Sequence, residues 1–417
     1  MSTVLMWIVG FLKIVIVLGT LITIHELGHF TVAKLCKVTV NKFSIGFGPK
    51  LLTKNSKGTE YTLRLIPFGG FVQMEGEEER SDADGAFNKK NVWQRIAIVA
   101  AGAVVNIIFA LVVYFAICSA SNSYYTTTIS KLDDGALYNS GLRAGDKIIS
   151  IDGKKVMTMR AVEEIIADTE SEDMLFRIER NGEIIDMTVT VPYETHGFFG
   201  IAFEGEKEVL YIYKNSPADK AGVQVGDVIK SVNGIELANS QEVSDFIRNI
   251  VSSNIEVEVI RDGEVLTLSG VTESNTGKYY ALLCEEIHPG FFRGFGYALD
   301  ETGYYFNATI KGMGEIFTGK AENVEVMGPV GIASEITSTK AWSDFFYLMS
   351  AISLSLGIFN LMPIPALDGG RILLLIIEGV RRKPLKESVE QGLILAGFAL
   401  IILLAAVVTV GDVIKIF

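Results

Sequence analysis

Two histidines and a glutamate stand in the stretch ITIHELGHFTVAK, residues 22–34, at the end of a long apolar run. His25 and His29 are four residues apart, so on a helix both imidazoles share one face. Two ring nitrogens placed that way can reach one zinc ion, and Glu26 lies close enough to take a proton from water activated there. The competing reading is a helix with two hydrogen-bonded core histidines. In a membrane span that reading loses ground, because ionisable groups are costly there and usually functional. A catalytic zinc takes a third protein ligand and keeps one position open. Asp368 is the only carboxylate between Asp344 and Glu378, in a Pro-rich broken segment with Gly369 and Gly370 behind it. Alone, Asp368 reads better as the N-cap of the helix that follows. Beside an HExxH that lacks a ligand, the metal reading is the stronger. His196 and His288 fall in a separate acidic block and cannot easily join the site.

The elements that must position these groups are membrane helices. Of the 417 residues, 49% are hydrophobic, too many for an ordinary soluble chain. Four stretches, roughly 14–34, 96–119, 345–366 and 392–411, approach the ~20 residues that a helix needs to cross ~30 Å of hydrocarbon. A cleavable signal peptide is the rival for the first. No small-residue cleavage site follows it, and HELGH continues its helical pattern. Charge sets the expected orientation. The net charge is −12, but residues 121–340 hold 35 acidic and 19 basic residues, a balance of −16, which leaves +4 elsewhere. The outer basic residues cluster in 37–91 and in RRKPLK, 381–386. Both loops should face the cytoplasm, with the acidic block and both termini outside. Nothing points to a nucleic-acid partner. Three cysteines, Cys36, Cys118 and Cys284, make no disulfide framework and read as ordinary thiols.

The expected organisation is a first transmembrane helix at 1–36, a cytoplasmic or membrane-dipping β region and loop at 37–91, and a second helix at 92–120. Within 37–75, Tyr61, Leu63 and Leu65 share a strand face and KNSKG reads as a turn, so a β-hairpin is expected. The acidic block contains a repeat. GLRAGDKIISIDGKKV starts at Gly141 and GVQVGDVIKSVNGIEL at Gly222, an offset of 81 residues. Each copy resembles a PDZ domain in its Gly-Asp core segment, giving a first domain at 125–194 and a second at 195–275. The second copy also has a helix-forming SQEVSDFIRNI and a loop, Gly197-Phe198-Phe199-Gly200-Ile201, that resembles a PDZ peptide-binding loop. PDZ folds bind extended peptides by sheet-edge addition. A folded spacer without ligand is the alternative, above all for the first copy, which shows no clear loop. Residues 276–341 hold an amphipathic stripe from Phe295 to Phe317 and a linker with MGPVGIAS. A third segment with the LDG motif spans 342–375, a basic loop 376–390 and a fourth helix 391–417. The fold class is thus a polytopic α-helical membrane protein with four spans, a membrane-associated β-hairpin region and two extracytoplasmic PDZ domains.

The motifs in this order, HELGH at 25–29, GFGP at 46–49, GPVGI at 328–332 and NLMPIPALDGG at 360–370, resemble the site-2 protease family of intramembrane zinc metalloproteases, in its form with two PDZ domains. The resemblance implies one zinc held by His25, His29 and Asp368, with Glu26 as general base. It implies that Asn360 holds substrate and that Pro363 and Pro365 keep that segment open; a helix-breaking cap is the alternative for Asn360. It also implies substrates in the lipid bilayer: pre-trimmed single-span proteins such as anti-sigma factors, or remnant signal peptides, cut in a multi-pass protein of the inner membrane. The second PDZ domain would receive peptide C-termini. Two other classes compete, a non-enzymatic membrane PDZ receptor with a structural metal site and a metal transporter. The first would need a fourth ligand near the site, the second a string of polar sites along a path, and the sequence offers neither.

Overall fold

Among the described residues of the computed structural model, four helices are long and apolar enough to cross a membrane, at Ile8–Leu35, Val92–Ala120, Trp342–Asn360 and Ser388–Asp412. Residues 3–416 are described, apart from 78, 122–123, 133–135, 205–206, 214, 262, 279, 281, 319–326, 340 and 384–386. The end of the predicted basic loop, 384–386, and the side chain of Phe317 therefore lie outside the described residues.

In chain order the elements begin with α1 (Thr3–Leu35), β1 (Val40–Ser56), β2 (Thr59–Met74) and α2 (Val92–Ala120). The acidic block follows. Its first part holds β3 (Tyr124–Leu132), α3 (Ala136–Asn139), β4 (Lys147–Ile151), β5 (Lys154–Lys155), α4 (Met159–Asp168), β6 (Asp173–Arg180) and β7 (Glu183–Thr190). Then come β8 (Tyr193–Phe198), β9 (Ile201–Glu204), β10 (Glu208–Ile212), α5 (Pro217–Ala221), β11 (Val228–Val232) and β12 (Ile235–Glu236). The block closes with α6 (Ser240–Arg248), β13 (Asn254–Arg261), β14 (Glu264–Val271), β15 (Glu273–Lys278) and β16 (Leu282–Ile287). The rest is helical: α7 (Gly290–Thr318), α8 (Pro329–Ser338), α9 (Trp342–Asn360), α10 (Asp368–Arg381) and α11 (Glu387–Ile416). Two compact units result, residues 1–124 with 287–417, and residues 125–286.

In the first unit α2 is the hub, packing on α1, α7, α9 and α10. Glycines set the closest approaches. A Cβ on Gly28 would lie 2.5 Å from the Ala101 carbonyl oxygen, and one on Gly357 would lie 2.8 Å from that of Ala103. The hairpin turns at Lys57-Gly58, both with positive φ (48° and 78°), the geometry that a two-residue hairpin turn requires. The long strands then fold back. Phe43 pairs with both Tyr61 and Val72, so the sheet runs in the order 70–74, 40–45, 59–63, 52–56. Gly70–Met74 is consequently an edge.

The third span is shorter than expected. Helix α9 stops at Asn360, not near 366. Pro363 and Pro365 lack backbone N–H groups and cannot continue it. Residues 361–367 form a turn with Ala366 at φ 86°. Asp368 is not the cap of α10: Leu367 holds that position, without a side-chain bond, and Asp368 is the first helical residue.

The second unit holds two modules, and the 81-residue offset survives in three dimensions. Asp146 pairs with Arg180 and Asp227 with Arg261, each carboxylate 1% exposed. The six-stranded sheets run β7-β6-β4-β3-β16, with β5 on β4, and β14-β13-β11-β10-β9, with β12 on β11. Strand β16 follows the second module in sequence yet completes the sheet of the first, where Leu282 and Cys284 enter its core. The second module is thus inserted into the first.

Candidate metal centre

One turn of α1 and the first residue of α10 make the site. The Nε2 atoms of His25 and His29 are 3.1 Å apart. Asp368 Oδ2 lies 3.3 Å from the first and 3.4 Å from the second. These are the only described residues whose metal-binding atoms cluster this way, all within 4.8 Å of one another. The His29 Nδ1–H donates to the Ile98 carbonyl at 2.9 Å, which in a neutral ring leaves the Nε2 lone pair directed at Asp368. Asp368 Oδ2 is buried and accepts no hydrogen bond from the described residues. Lone pairs facing lone pairs repel, and a cation between them turns repulsion into ligation. Two imidazoles and one carboxylate suit zinc with one open position. The residues present therefore fit that ion.

Glu26 comes to the same place because it precedes His29 on the same turn. With both histidines, Asp368, Glu77 and Arg371, it lines a cleft of about 250 Å³ whose apolar wall is Phe71, Val72, Met74 and Val99. Gly70 lets the hairpin edge come close: a Cβ there would lie 3.2 Å from Glu26 Cγ. Arg371 donates to Glu77 at 2.6 Å across the cleft wall. Gly102 of α2 sits against the imidazoles, since a Cβ there would be 2.4 Å from His29 Nε2.

Of the other sequence candidates, Asn360 approaches the rear of His25, with Nδ2 3.5 Å from Nδ1. Pro363 and Pro365 shape the turn after α9 and do not line the cleft. Gly197 to Ile201 belong to the second unit. Gly197 and Phe198 end β8, Ile201 opens β9, and Phe199 is buried in the core between them. Gly200 adopts φ 87°, and Gly197 meets the Ile250 carbonyl so closely that a Cβ would fall 1.9 Å from its oxygen. Strand β9 is an outer strand of its sheet.

Sequence reasoning missed Gly102, Asn106, Glu77 and Arg371. A signal existed for Asn106, a polar residue in the middle of an apolar span, by the argument already applied to HELGH. Gly102 carries no such signal, because its role is the space that it leaves.

The profile of peptidase family M50 matches residues 13–404. The regulator of sigma-E protease RseP of Salmonella typhimurium is 31% identical, over 95% of this chain and 97% of that protein. A protein named as a zinc metalloprotease in Neisseria meningitidis is 30% identical, over 94% and 96%. Among solved structures, the HtrA3 PDZ domain bound to a phage-derived ligand covers 21% of this chain and 93% of its own, with 26% identity and a TM-score of 0.18.

Proposed function

The chain belongs to peptidase family M50, the site-2 proteases, and from this premise we propose that His25, His29 and Asp368 hold the zinc with which this intramembrane metalloprotease works. The observation that carries the assignment is the convergence of three ligating atoms, 3.1–3.4 Å apart, beside Glu26. Bound zinc supplies Lewis acidity, which polarises the scissile carbonyl and acidifies water. Glu26 takes the proton from the attacking water as its oxygen bonds to the carbonyl carbon. Glu26 then returns that proton to the nitrogen as the C–N bond breaks. Phe71, Val72, Met74 and Val99 limit water around these steps.

The substrate in this reading is a transmembrane segment of a trimmed single-span protein, of the anti-sigma factor or signal-peptide remnant type. A helical peptide bond is shielded by its own hydrogen bonds, so the segment must unwind. The edge at Gly70–Met74 offers backbone partners to an extended strand beside Glu26. Asn360 adds a side-chain amide at the end of α9. The basic loops support an orientation with the site toward the cytoplasm and the acidic unit outside. There, β9 with the Gly197–Ile201 loop receives a peptide C-terminus, and both modules exclude proteins with bulky external domains. Because β3 and β16 are neighbouring strands, the whole of 125–286 can be replaced by a short linker; cutting of untrimmed substrates should then appear.

The test is purified protein with a tagged single-span substrate, wild type against Glu26→Gln. The variant should bind zinc as the wild type does and leave the substrate intact. Cutting by Glu26→Gln at the wild-type rate would remove Glu26 from the base role. Zinc binding without cutting of any trimmed substrate, by either protein, would favour a structural metal.

A further inference from the structure

The ligand set leaves one side of His25 to be explained. If both histidines turn Nε2 to the metal, each neutral ring carries its hydrogen on Nδ1 and needs an acceptor there. His29 has the Ile98 carbonyl. His25 is faced instead by two side-chain amides, Asn106 and Asn360, each with its Nδ2 3.5 Å from His25 Nδ1. Amide nitrogens only donate, so neither can serve an N–H in this orientation. The oxygen and nitrogen of an amide exchange places by a half-turn, and the surrounding network decides between them. Asn106 is 0% exposed, and its Oδ1 has no partner among the described residues. A buried acceptor without a donor is destabilising, since its hydration is lost and nothing replaces it. One half-turn of the Asn106 amide turns Oδ1 to His25 Nδ1–H as its acceptor and moves Nδ2 to the place that Oδ1 held.

We propose that Asn106 is a positioning residue of the metal centre, whose amide oxygen holds His25 Nδ1–H and fixes the tautomer that presents Nε2 to zinc. The proposal rests on the reading of His25 as a ligand. It gives the two asparagines different tasks. Asn360 is half-buried at the end of α9, before the open turn, and keeps its amide for substrate. Asn106 is sealed in α2, and its backbone carbonyl accepts from Ser353 Oγ at 2.9 Å, which ties this turn to α9. Gly102, one turn earlier, leaves the space into which both imidazoles fit.

The experiment uses purified full-length protein, zinc competition against a chromophoric chelator, and ¹⁵N NMR of the histidine rings. The chain has only 4 histidines, so each ring can be assigned. Asn106→Leu should weaken zinc binding about 10–100-fold and shift His25 away from the Nδ1–H tautomer. Asn106→Asp keeps an acceptor and should restore both, while Asn360→Ala should leave zinc affinity within about twofold. Wild-type affinity with an unchanged His25 signature in Asn106→Leu would overturn the proposal. Equal losses in the Leu and Asp variants would also overturn it, by showing that packing alone is at stake. Should the Leu variant not fold, Asn106→Asp decides alone: a carboxylate only accepts, so a loss beyond about tenfold refutes the role. His25→Ala, measured alongside, separates the two ideas. If it binds zinc like the wild type, the ligand reading fails, whatever Asn106 does.

Discussion

Asp368 and Asp227 are both carboxylates withdrawn from water and facing nitrogen atoms, yet they are held in opposite ways. Asp227 is saturated: Arg261 donates to both oxygens at 2.7 and 2.8 Å, and the backbone N–H of Gln224 adds a third bond at 2.8 Å. Asp146 repeats the pattern with Arg180 and the Arg143 amide. Asp368 meets two imidazole nitrogens at 3.3 and 3.4 Å, and its Oδ2 accepts no hydrogen bond from the described residues. A buried acceptor that is fully satisfied is architecture. One left unsatisfied against lone pairs is a place for a cation. The contrast separates chemistry from scaffolding without reference to any motif.

Substitution should break the two carboxylates in different currencies. Asp368→Asn removes a charged ligand, so zinc affinity should fall by more than the roughly 100-fold that follows loss of a partner behind a ligand. Cleavage should vanish with it, while urea unfolding of 125–286, followed by hydrogen exchange in the intact protein, stays as in the wild type. Asp227→Asn should do the reverse. Removing one partner of a buried pair costs about 3–5 kcal/mol, so strands 228–271 should exchange at lower urea. Cutting of a trimmed substrate should persist. If Asp227→Asn abolished cutting in folded protein, the division drawn here would collapse. The smallest effect is in pH. Burial alone would raise the Asp227 carboxyl, but the bonds from Arg261 and the Gln224 amide hold it below the usual carboxylate range. Its folded pKa is depressed, so its stabilisation is complete above the unfolded value of about 3.9 and is lost as pH falls through the lower folded value. Protection of 228–271 should decline on acidification in the wild type and less so in Asp227→Asn.

What could be read in advance followed the range of the contacts. The HExxH spacing is local, set by one helical turn, and is visible in any window that holds it. The hairpin, the Gly-Asp repeat and the amphipathic run that became α7 are also local patterns. Asp368 needed a longer inference, but a Pro-rich break followed by two glycines marks an interrupted helix. Gly102 and Asn106 lie 77 and 81 residues from His25 in sequence and meet it through the closeness of α2 to α1; the apolar run around Asn106 marks it as unusual but does not say what it faces, and nothing around Gly102 marks it at all. The first repeat lacks a counterpart of the Gly197–Ile201 sequence for the same reason: its outer strand, β16, arrives only after the whole second module has passed.

That arrival has a consequence in time. The ribosome delivers residues at about 5–20 per second, so some 5–20 s separate the emergence of β7 from that of β16. During this interval the first module lacks its outer strand and the core side chains Leu282 and Cys284, whereas every strand of the second module is already present. The later-made module therefore closes before the earlier one, and the nascent first sheet waits with an exposed edge. A chaperone that caps β-strand edges outside the membrane would find its client in that window, and a stall between 275 and 282 would prolong it.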